Sequence, residues 1–311
     1  MLMKNSERAL VRIIREIAGE EGMEYKSFSY DWVIKLTKAG ESRLILGYGF
    51  PLNSSSAAAV CTDKAAASAL MDDGGIPCVQ HRFFMNPAES KYIGGQGNWA
   101  ELTGMLAHEH ELVCKPNQGT GGAQVYRVNS LPALENAVTQ IFSSNRGMAV
   151  CRYHDIRSEH RVVMLDGQAQ VIYEKKLPFV VGDGHSTVSM LTAQKYPIHK
   201  DDLSGTGYIP ARGELVEVGW MHNLGRGSAP ELVDLSGPLA KQLEKLAQDA
   251  AAACGVRFAS VDIINADGRS AHKPLVLEIN SGVMMEEFAG VSDDFYAIAK
   301  GVYQKAVYAM W

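Results

Sequence analysis

Three parts of this chain join charge to a geometry that suits phosphate. Leu112-Val113-Cys114-Lys115-Pro116 is an apolar strand that delivers a lysine, and Gln118-Gly119-Thr120-Gly121-Gly122 follows as a loop with three glycines. Such a loop can turn its backbone N–H groups onto an anion while the lysine adds a point charge. Val261-Asp262-Ile263-Ile264 and Leu277-Glu278-Ile279-Asn280 are two further apolar strands, with Glu278 sixteen positions beyond Asp262. Glu278 and Asn280 are two apart and share a face; if the strands are adjacent, Asp262 joins them in an all-oxygen cluster. Two carboxylates and an amide, with room for phosphate oxygens and water, are what Mg²⁺ takes when it is held mainly through a nucleotide. Between these parts lie Ser158-Glu159-His160-Arg161 and Tyr173-Glu174-Lys175-Lys176. Basic residues on neighbouring strands can converge on a transferring phosphoryl group. Each part alone also reads as ordinary structure: a glycine hairpin with a surface lysine, an acidic patch, or an exposed sheet with solvated charges.

The elements that position these residues follow from periodicity. Leu10, Ile13, Ile14 and Ile17 recur at helical spacing and predict a helix from about Ser6 to Ala18 behind a Ser or Asn cap. Phe28, Tyr30, Trp32, Ile34 and Leu36 alternate with polar or smaller residues, which predicts one half-buried strand. Arg43 to Tyr48 reads as another strand, and Cys61 to Met71 as an alanine-rich helix closed by Asp72-Asp73-Gly74-Gly75. From Ile76 to Tyr153 the expected order is strand, loop, helix, strand, turn, strand, helix, strand. Arg161–Leu165 and Ala169–Glu174 form a predicted hairpin, because Asp166-Gly167 suits a type I′ turn. Helices are expected from about Gly237 to Cys254 and from about Asp293 to Tyr308, with strands at Val256–Asn265 and Pro274–Asn280 between them.

Composition narrows the classes of function. The chain has 311 residues, 46 % hydrophobic and 21 % charged, so two or three packed lobes are expected and wholesale disorder is excluded. With 30 Lys plus Arg against 35 Asp plus Glu, the net charge of -5 argues against neutralising a nucleic-acid backbone as the main task. The first residues fit neither a secretory signal nor a transit peptide, and no run approaches the roughly 20 apolar residues of a membrane span, so a cytoplasmic location is expected. Cys61, Cys78, Cys114, Cys151 and Cys254 never form C-x-x-C and read as reduced, mostly buried thiols. Gly95-Gln96-Gly97-Asn98-Trp99-Ala100 lacks the strand that a dinucleotide fingerprint follows, and His108-Glu109-His110 reads as a solvated helix end rather than a metal site. No P-loop occurs.

The order of the chemical parts resembles the ATP-grasp carboxylate-amine ligases, in the branch of the ribosomal protein S6 glutamate ligase, cyanophycin synthetase and the fused glutathione synthetases. The resemblance covers roughly residues 60 to 290. It implies an α/β (α+β) chain with the ATP-grasp fold: a short N-terminal lobe over 1–60, a small lobe with the phosphate loop over 61–153 and a large lobe with the metal and substrate site over 154–311. It implies ATP contacts from Lys64, Lys115, Gln118, Gly119, Thr120, Gly121, Gly122, Arg152, Tyr153, Glu159, His222 and Asn223. Arg161, Lys175, Lys176 and Arg226 would be the catalytic cations, and Asp262, Glu278 and Asn280 the ligands of Mg²⁺, two ions in all, with Mn²⁺ able to substitute. Asp183, Gly184, His185, Ser281 and Gly282 would border the substrate. Arg152 stands where relatives more often carry Glu, Ser228 replaces a glycine, and Ser281 to Glu287 departs from the usual Ser-x-Pro-Gly.

The implied activity is ADP-forming ligation of a carboxylate to an amine through an acyl phosphate, with amino-acid or peptide substrates. Nucleic acid and membrane are not among the implied partners, and a homo-oligomer is allowed. The alternatives are a thiol or protein terminus as acceptor, or a nucleotide-binding regulatory protein that performs no ligation.

Overall fold

The computed structural model describes residues 7–92, 98–119, 121–196, 207–267 and 274–311. Thr120 and the glycines Gly95 and Gly97 lie outside the described residues. Helix α1 (Ala9–Glu20) buries Leu10, Ile13, Ile14 and Ile17 completely, as their spacing demands. It starts later than the Ser or Asn cap would place it: Arg8 occupies the cap position and supplies no side-chain bond. The aromatic alternation after it is not one strand but two. β1 (Glu24–Phe28) and β2 (Val33–Lys38) are separated by Ser29, Tyr30 and Asp31, all at positive φ, and β3 (Glu41–Leu46) pairs antiparallel with β2. The turn lifts Phe28, Tyr30 and Trp32 into solvent, so period two here marks a hairpin tip rather than a buried face.

The alanine-rich stretch also divides. α2 (Ser55–Thr62) and α3 (Lys64–Asp73) meet at Asp63, whose extended backbone stops the first helix and whose carboxylate accepts the Ala66 N–H at 2.8 Å to start the second. Lys64 therefore becomes the first residue of a helix rather than an interior one.

The next unit is a sheet of β4 (Arg82–Met85), β5 (Leu112–Pro116), β6 (Tyr126–Val128) and β7 (Gly147–Arg152), in the order β4-β7-β5-β6. Helices α4 (Trp99–Glu109) and α5 (Leu131–Phe142) pack on it through Leu102, Leu106, Leu134, Ala137 and Ile141. His110 closes α4 in the left-handed conformation, the helix end expected there.

The larger sheet contains β8 (Asp155–Leu165), β9 (Gln168–Lys176), β12 (Ala229–Leu232), β13 (Phe258–Asp267) and β14 (Leu275–Asn280), in the antiparallel order β12-β9-β8-β13-β14. Asp166 and Gly167 both have positive φ in the predicted tight turn between β8 and β9. β10 (Phe179–Val181) and β11 (Leu215–Glu217) form a small antiparallel pair, with α6 (Val188–Lys195) in the connection between them. α7 (Pro238–Ala253) covers one face of the large sheet, over Val162, Met164, Ile172, Val261 and Ile263. The other face, with Val163, Val171, Tyr173 and Phe258, packs under α1, α8 (Glu286–Ala289) and α9 (Asp293–Tyr308). Both faces are covered, which accounts for the unbroken apolar run Val162-Val163-Met164-Leu165. All five cysteines are buried free thiols. Among the described residues no helix is long and apolar enough to cross a membrane.

Candidate active site

A cavity of about 280 Å³ opens where the four-stranded sheet faces the charged end of the five-stranded one. Strand alternation selects what points into it. Glu159 and Arg161 on β8 lie two apart, Lys175 on β9 shares their face, and Asp262 on β13 sits in register with both Arg161 and Glu278. Lys176, one residue further, falls on the opposite face and pairs with Glu174 at 2.6 Å and Glu231 at 3.7 Å.

The inward residues form one ion cluster. Arg161 donates to Asp262 from Nε to Oδ1 at 2.8 Å and from Nη2 to Oδ2 at 2.7 Å. Lys175 Nζ lies 2.5 Å from Glu159 and 2.9 Å from Asp262. Two cations and two anions thus balance in a place almost closed to water, with Asp262 1 % exposed. Burial alone would push the Asp262 carboxyl up, but Arg161 and Lys175 overcome it and hold the group below the usual range. At Glu159 burial dominates and raises the carboxyl, with Lys175 pulling the other way.

Across the cavity stand Lys115, on β5, and Lys64, at the start of α3. Lys64 Nζ donates to the Gly119 carbonyl at 2.9 Å, and Asn117 accepts the Lys64 and Ala65 N–H groups at 3.2 and 3.1 Å, through its carbonyl and side-chain oxygens respectively. Burial lowers the Lys64 ammonium, Glu278 opposing it and Lys115 reinforcing it. Gly119, Gly121, Gly122 and Ala123 line the cavity. From the far side, Arg226 Nη2 donates to the Gly122 carbonyl at 2.8 Å and Nε to that of Gly121 at 3.5 Å.

An apolar slot formed by Val113, Cys151, Ile156 and Leu277 leads from the lysines to Arg152, Tyr153 and His154. The Tyr153 ring meets Trp220 edge-on at 6.0 Å and carries the Arg127 guanidinium 3.7 Å from its centroid. Its N–H is held by the Glu111 carbonyl at 3.0 Å. Arg152 Nε donates to His154 Nε2 at 3.3 Å; burial first, then Arg152, lowers the His154 imidazole to about 4. His222 also lines the cavity, and because a carbonyl only accepts, its Nδ1 carries the proton given to the Lys175 carbonyl at 2.6 Å.

Glu278 lines the cavity, and Asn280, two residues on, donates from its amide to Glu278 at 3.2 Å. The pair offers one carboxylate and one amide oxygen beside Lys64, a donor set that fits a hard cation completing its shell with phosphate and water. Among the described residues no three or more His, Cys, Asp or Glu side chains form a metal cluster by themselves.

The chain shares its fold with known ligases. Over 83 % of its length the chain superposes on 68 % of D-alanine–D-alanine ligase from Bacillus anthracis, with a TM-score of 0.53 and 16 % identity. A bifunctional glutathione synthetase from Pasteurella multocida gives a TM-score of 0.55 at 16 % identity, over 91 % of this chain and 41 % of that one. This is an ATP-grasp fold. In sequence, 165 residues are 27 % identical to the bifunctional glutathione biosynthesis protein of Lactiplantibacillus plantarum, covering 52 % of this chain and 21 % of that protein. The chain thus spans about a fifth of that relative's length. No family model matches.

Within the ATP-grasp cleft the structure brings together Lys64, Lys115, Gly119, Gly121, Gly122, Arg152, Tyr153, Glu159, Arg161, Lys175, His222, Asn223, Asp262 and Glu278. Asn280 stands beside Glu278 on a smaller adjoining cavity. Gln118 is exposed and is not on the wall. Asp183, Gly184 and His185 lie elsewhere; Asp183 accepts the N–H groups of His185 and Ser186 at 2.8 and 2.7 Å, which lowers its carboxyl to about 2. Ser281 donates to the Ala58 carbonyl at 3.1 Å, and neither it nor Gly282 reaches the wall. Trp220, Met284, Glu286 and Glu287 do line it, although motif reading did not single them out. The signal for the last three was the departure after Asn280 itself.

Proposed function

We propose that this chain is an ADP-forming ligase that joins a carboxylate to an amine through an acyl phosphate, with an amino acid or short peptide as substrate. The observation that carries this reading is the buried Arg161–Asp262–Lys175–Glu159 cluster facing Lys64 and Lys115 across one cavity. A protein that only sensed nucleotide would gain little from a guanidinium held rigid at the place where a phosphoryl group would move.

In this reading the base of ATP occupies the slot ending at Tyr153, and Lys64, Lys115 and the glycine loop hold the phosphates. Glu278 and Asn280, with Asp262 beside them, would hold Mg²⁺, which supplies charge neutralisation at the phosphates when bound. Arg161 and Lys175 stabilise charge on the γ-phosphoryl group as the substrate carboxylate attacks it. ADP leaves, the amine attacks the acyl carbon, and phosphate departs. Asp262 keeps Arg161 and Lys175 fixed before the reaction, so little reorganisation is needed. In this reading the lobes that close on the nucleotide are 61–153 and 154–311, behind a short N-terminal lobe over 1–60.

The test is to incubate the protein with Mg·ATP, hydroxylamine and a panel of amino acids and dipeptides. The expected result is hydroxamate and ADP in equal amounts from at least one acid, with Arg161→Met suppressing both far more than it weakens ATP binding. AMP and pyrophosphate as products would replace this reading with adenylation, and ATP binding without ADP or hydroxamate across the panel would favour a regulatory role.

A further inference from the structure

The Arg226 side chain lies behind the glycine loop rather than in the cleft. It does not line the cavity, whereas Gly121, Gly122 and Ala123 on one side of it, and Asn223 and Gly225 on its own segment, do. Its guanidinium reaches the carbonyls of Gly121 and Gly122 from the β11–β12 connection, about a hundred residues away in sequence, at |i−j| of 105 and 104. In a trans peptide the carbonyl of one residue and the N–H of the next point in opposite directions. Holding the Gly121 and Gly122 oxygens away from the cavity therefore turns the N–H groups of Gly122 and Ala123 toward it. Two adjacent donors so turned form an anion-binding concavity.

Close packing supports this latch at both ends. Gly122 has φ of +71°, and a Cβ there would sit 3.0 Å from Asn223 Nδ2 and 3.2 Å from Arg226 Nε. Gly227 has φ of +100°, and a Cβ there would stand 2.5 Å from the Tyr196 ring, so the segment that carries Arg226 is itself pressed against a neighbour. Asn223 fixes the short turn by accepting the Gly225 N–H at 2.9 Å.

We propose that Arg226 is a positioning residue that latches the glycine loop shut across the cleft, presenting loop N–H groups to phosphate and keeping water from the acyl phosphate. The proposal rests on the ligase reading above and assigns Arg226 to the loop rather than to the transferring group. Its loss frees the loop and lets water compete with the amine.

The test compares wild type with Arg226→Met, Arg226→Lys and Gly122→Ala. Arg226→Met is expected to raise the KM for ATP roughly tenfold, the usual loss for a hydrogen bond from a charged donor. It should also raise ADP released per amide formed well above one, with the KM for the acid substrate unchanged. Arg226→Lys restores coupling only in part, because an ammonium cannot span two carbonyls. Gly122→Ala, which keeps Arg226 but pushes the loop off it, should reproduce the uncoupling. A lower kcat with one ADP per amide and an unaltered KM for ATP would overturn the latch and put Arg226 at the reacting atoms. Digestion of the free protein with a broad-specificity protease separates the two readings: faster cutting of the loop in Arg226→Met supports the latch even if no acid proves to be a substrate, and equal cutting overturns it.

Discussion

Asp262 and Arg161 face each other in register on β13 and β8 and are joined by two parallel hydrogen bonds, of 2.8 and 2.7 Å. Fork-to-fork pairing fixes the plane of the guanidinium as well as its place, which a single contact would not. Because Lys175 shares Asp262 with Arg161, one carboxylate sets the direction of both of these cations. Removing it leaves two neighbouring positive groups with only Glu159 between them.

Asp262→Asn should therefore cost roughly 3 kcal/mol of folding free energy, the order seen when one partner of a buried ion pair is removed. The Asp262 carboxyl is held below its ordinary value of 3.8, so its stabilisation is complete above that value and fades as pH falls below it. Urea unfolding at a series of pH values checks this. The gap between wild type and variant should be widest at neutral pH and narrow in acid; a gap of constant size would assign the loss to packing rather than to charge.

His154 works in the other direction. Its imidazole is lowered from 6.5 to about 4, so between these values the unfolded chain takes up a proton that the folded chain refuses. Stability should fall as pH drops from about 6.5 to about 4 and level off below. In His154→Gln that slope should be shallower, and thermal unfolding of the two proteins across the window measures the difference.

Much of this architecture is legible in the sequence where a local signal and the tertiary environment agree. The terminal helix runs from Asp293 to Tyr308 as its periodicity predicts, helped by Ser292, which accepts the Phe295 N–H at 3.4 Å, and by two acidic residues in its first turn. Asp166-Gly167 names its own turn. The failures arise where one pattern serves two conformations. Phe28 to Leu36 alternates whether it is a strand or a hairpin tip, and only the left-handed backbone at Ser29, Tyr30 and Asp31 separates the two. Lys175 and Lys176 are equal in a string of letters, yet strand alternation buries one and leaves the other on the opposite face. The departure after Asn280 marks Glu286, but its hold on the first helix is not legible, because its partners are backbone N–H groups 277 and 276 positions away.

Lys115 is buried on β5 at 7 % exposure, with its side chain on the cavity wall. Its charge would meet phosphates present in both the ground and the transition state, so Lys115→Met should weaken ATP binding as well as slow turnover. The expected loss of affinity is roughly tenfold to a hundredfold, the range for a hydrogen bond from a charged donor. Calorimetry with a non-hydrolysable ATP analogue measures it, and an unchanged affinity would leave the lysine a structural residue.

Glu286 links the cleft to the N-terminal helix. Its carboxylate accepts the N–H groups of Ala9 and Leu10 at 2.5 and 3.2 Å, at the end of α1 where Arg8 supplies no cap. The segment before it is pinned by Tyr303, which donates to the Val283 carbonyl at 2.9 Å and accepts the Met285 N–H at 3.2 Å. A wall residue of the cavity is therefore held in place by a helix that lies outside it. Glu286→Ala should cost about 1 kcal/mol, the value of a lost N-cap with its charge at the positive end of the helix. It should also raise the KM for a carboxylate or amine substrate while leaving ATP affinity unchanged, because Lys64, Lys115 and the glycine loop are untouched. Glu287, next in sequence and exposed on the same wall, supplies the control. Glu287→Gln should alter substrate kinetics without moving the melting temperature. If Glu286→Ala instead lowers ATP affinity and substrate affinity together, the helix supports the whole cleft rather than this one wall.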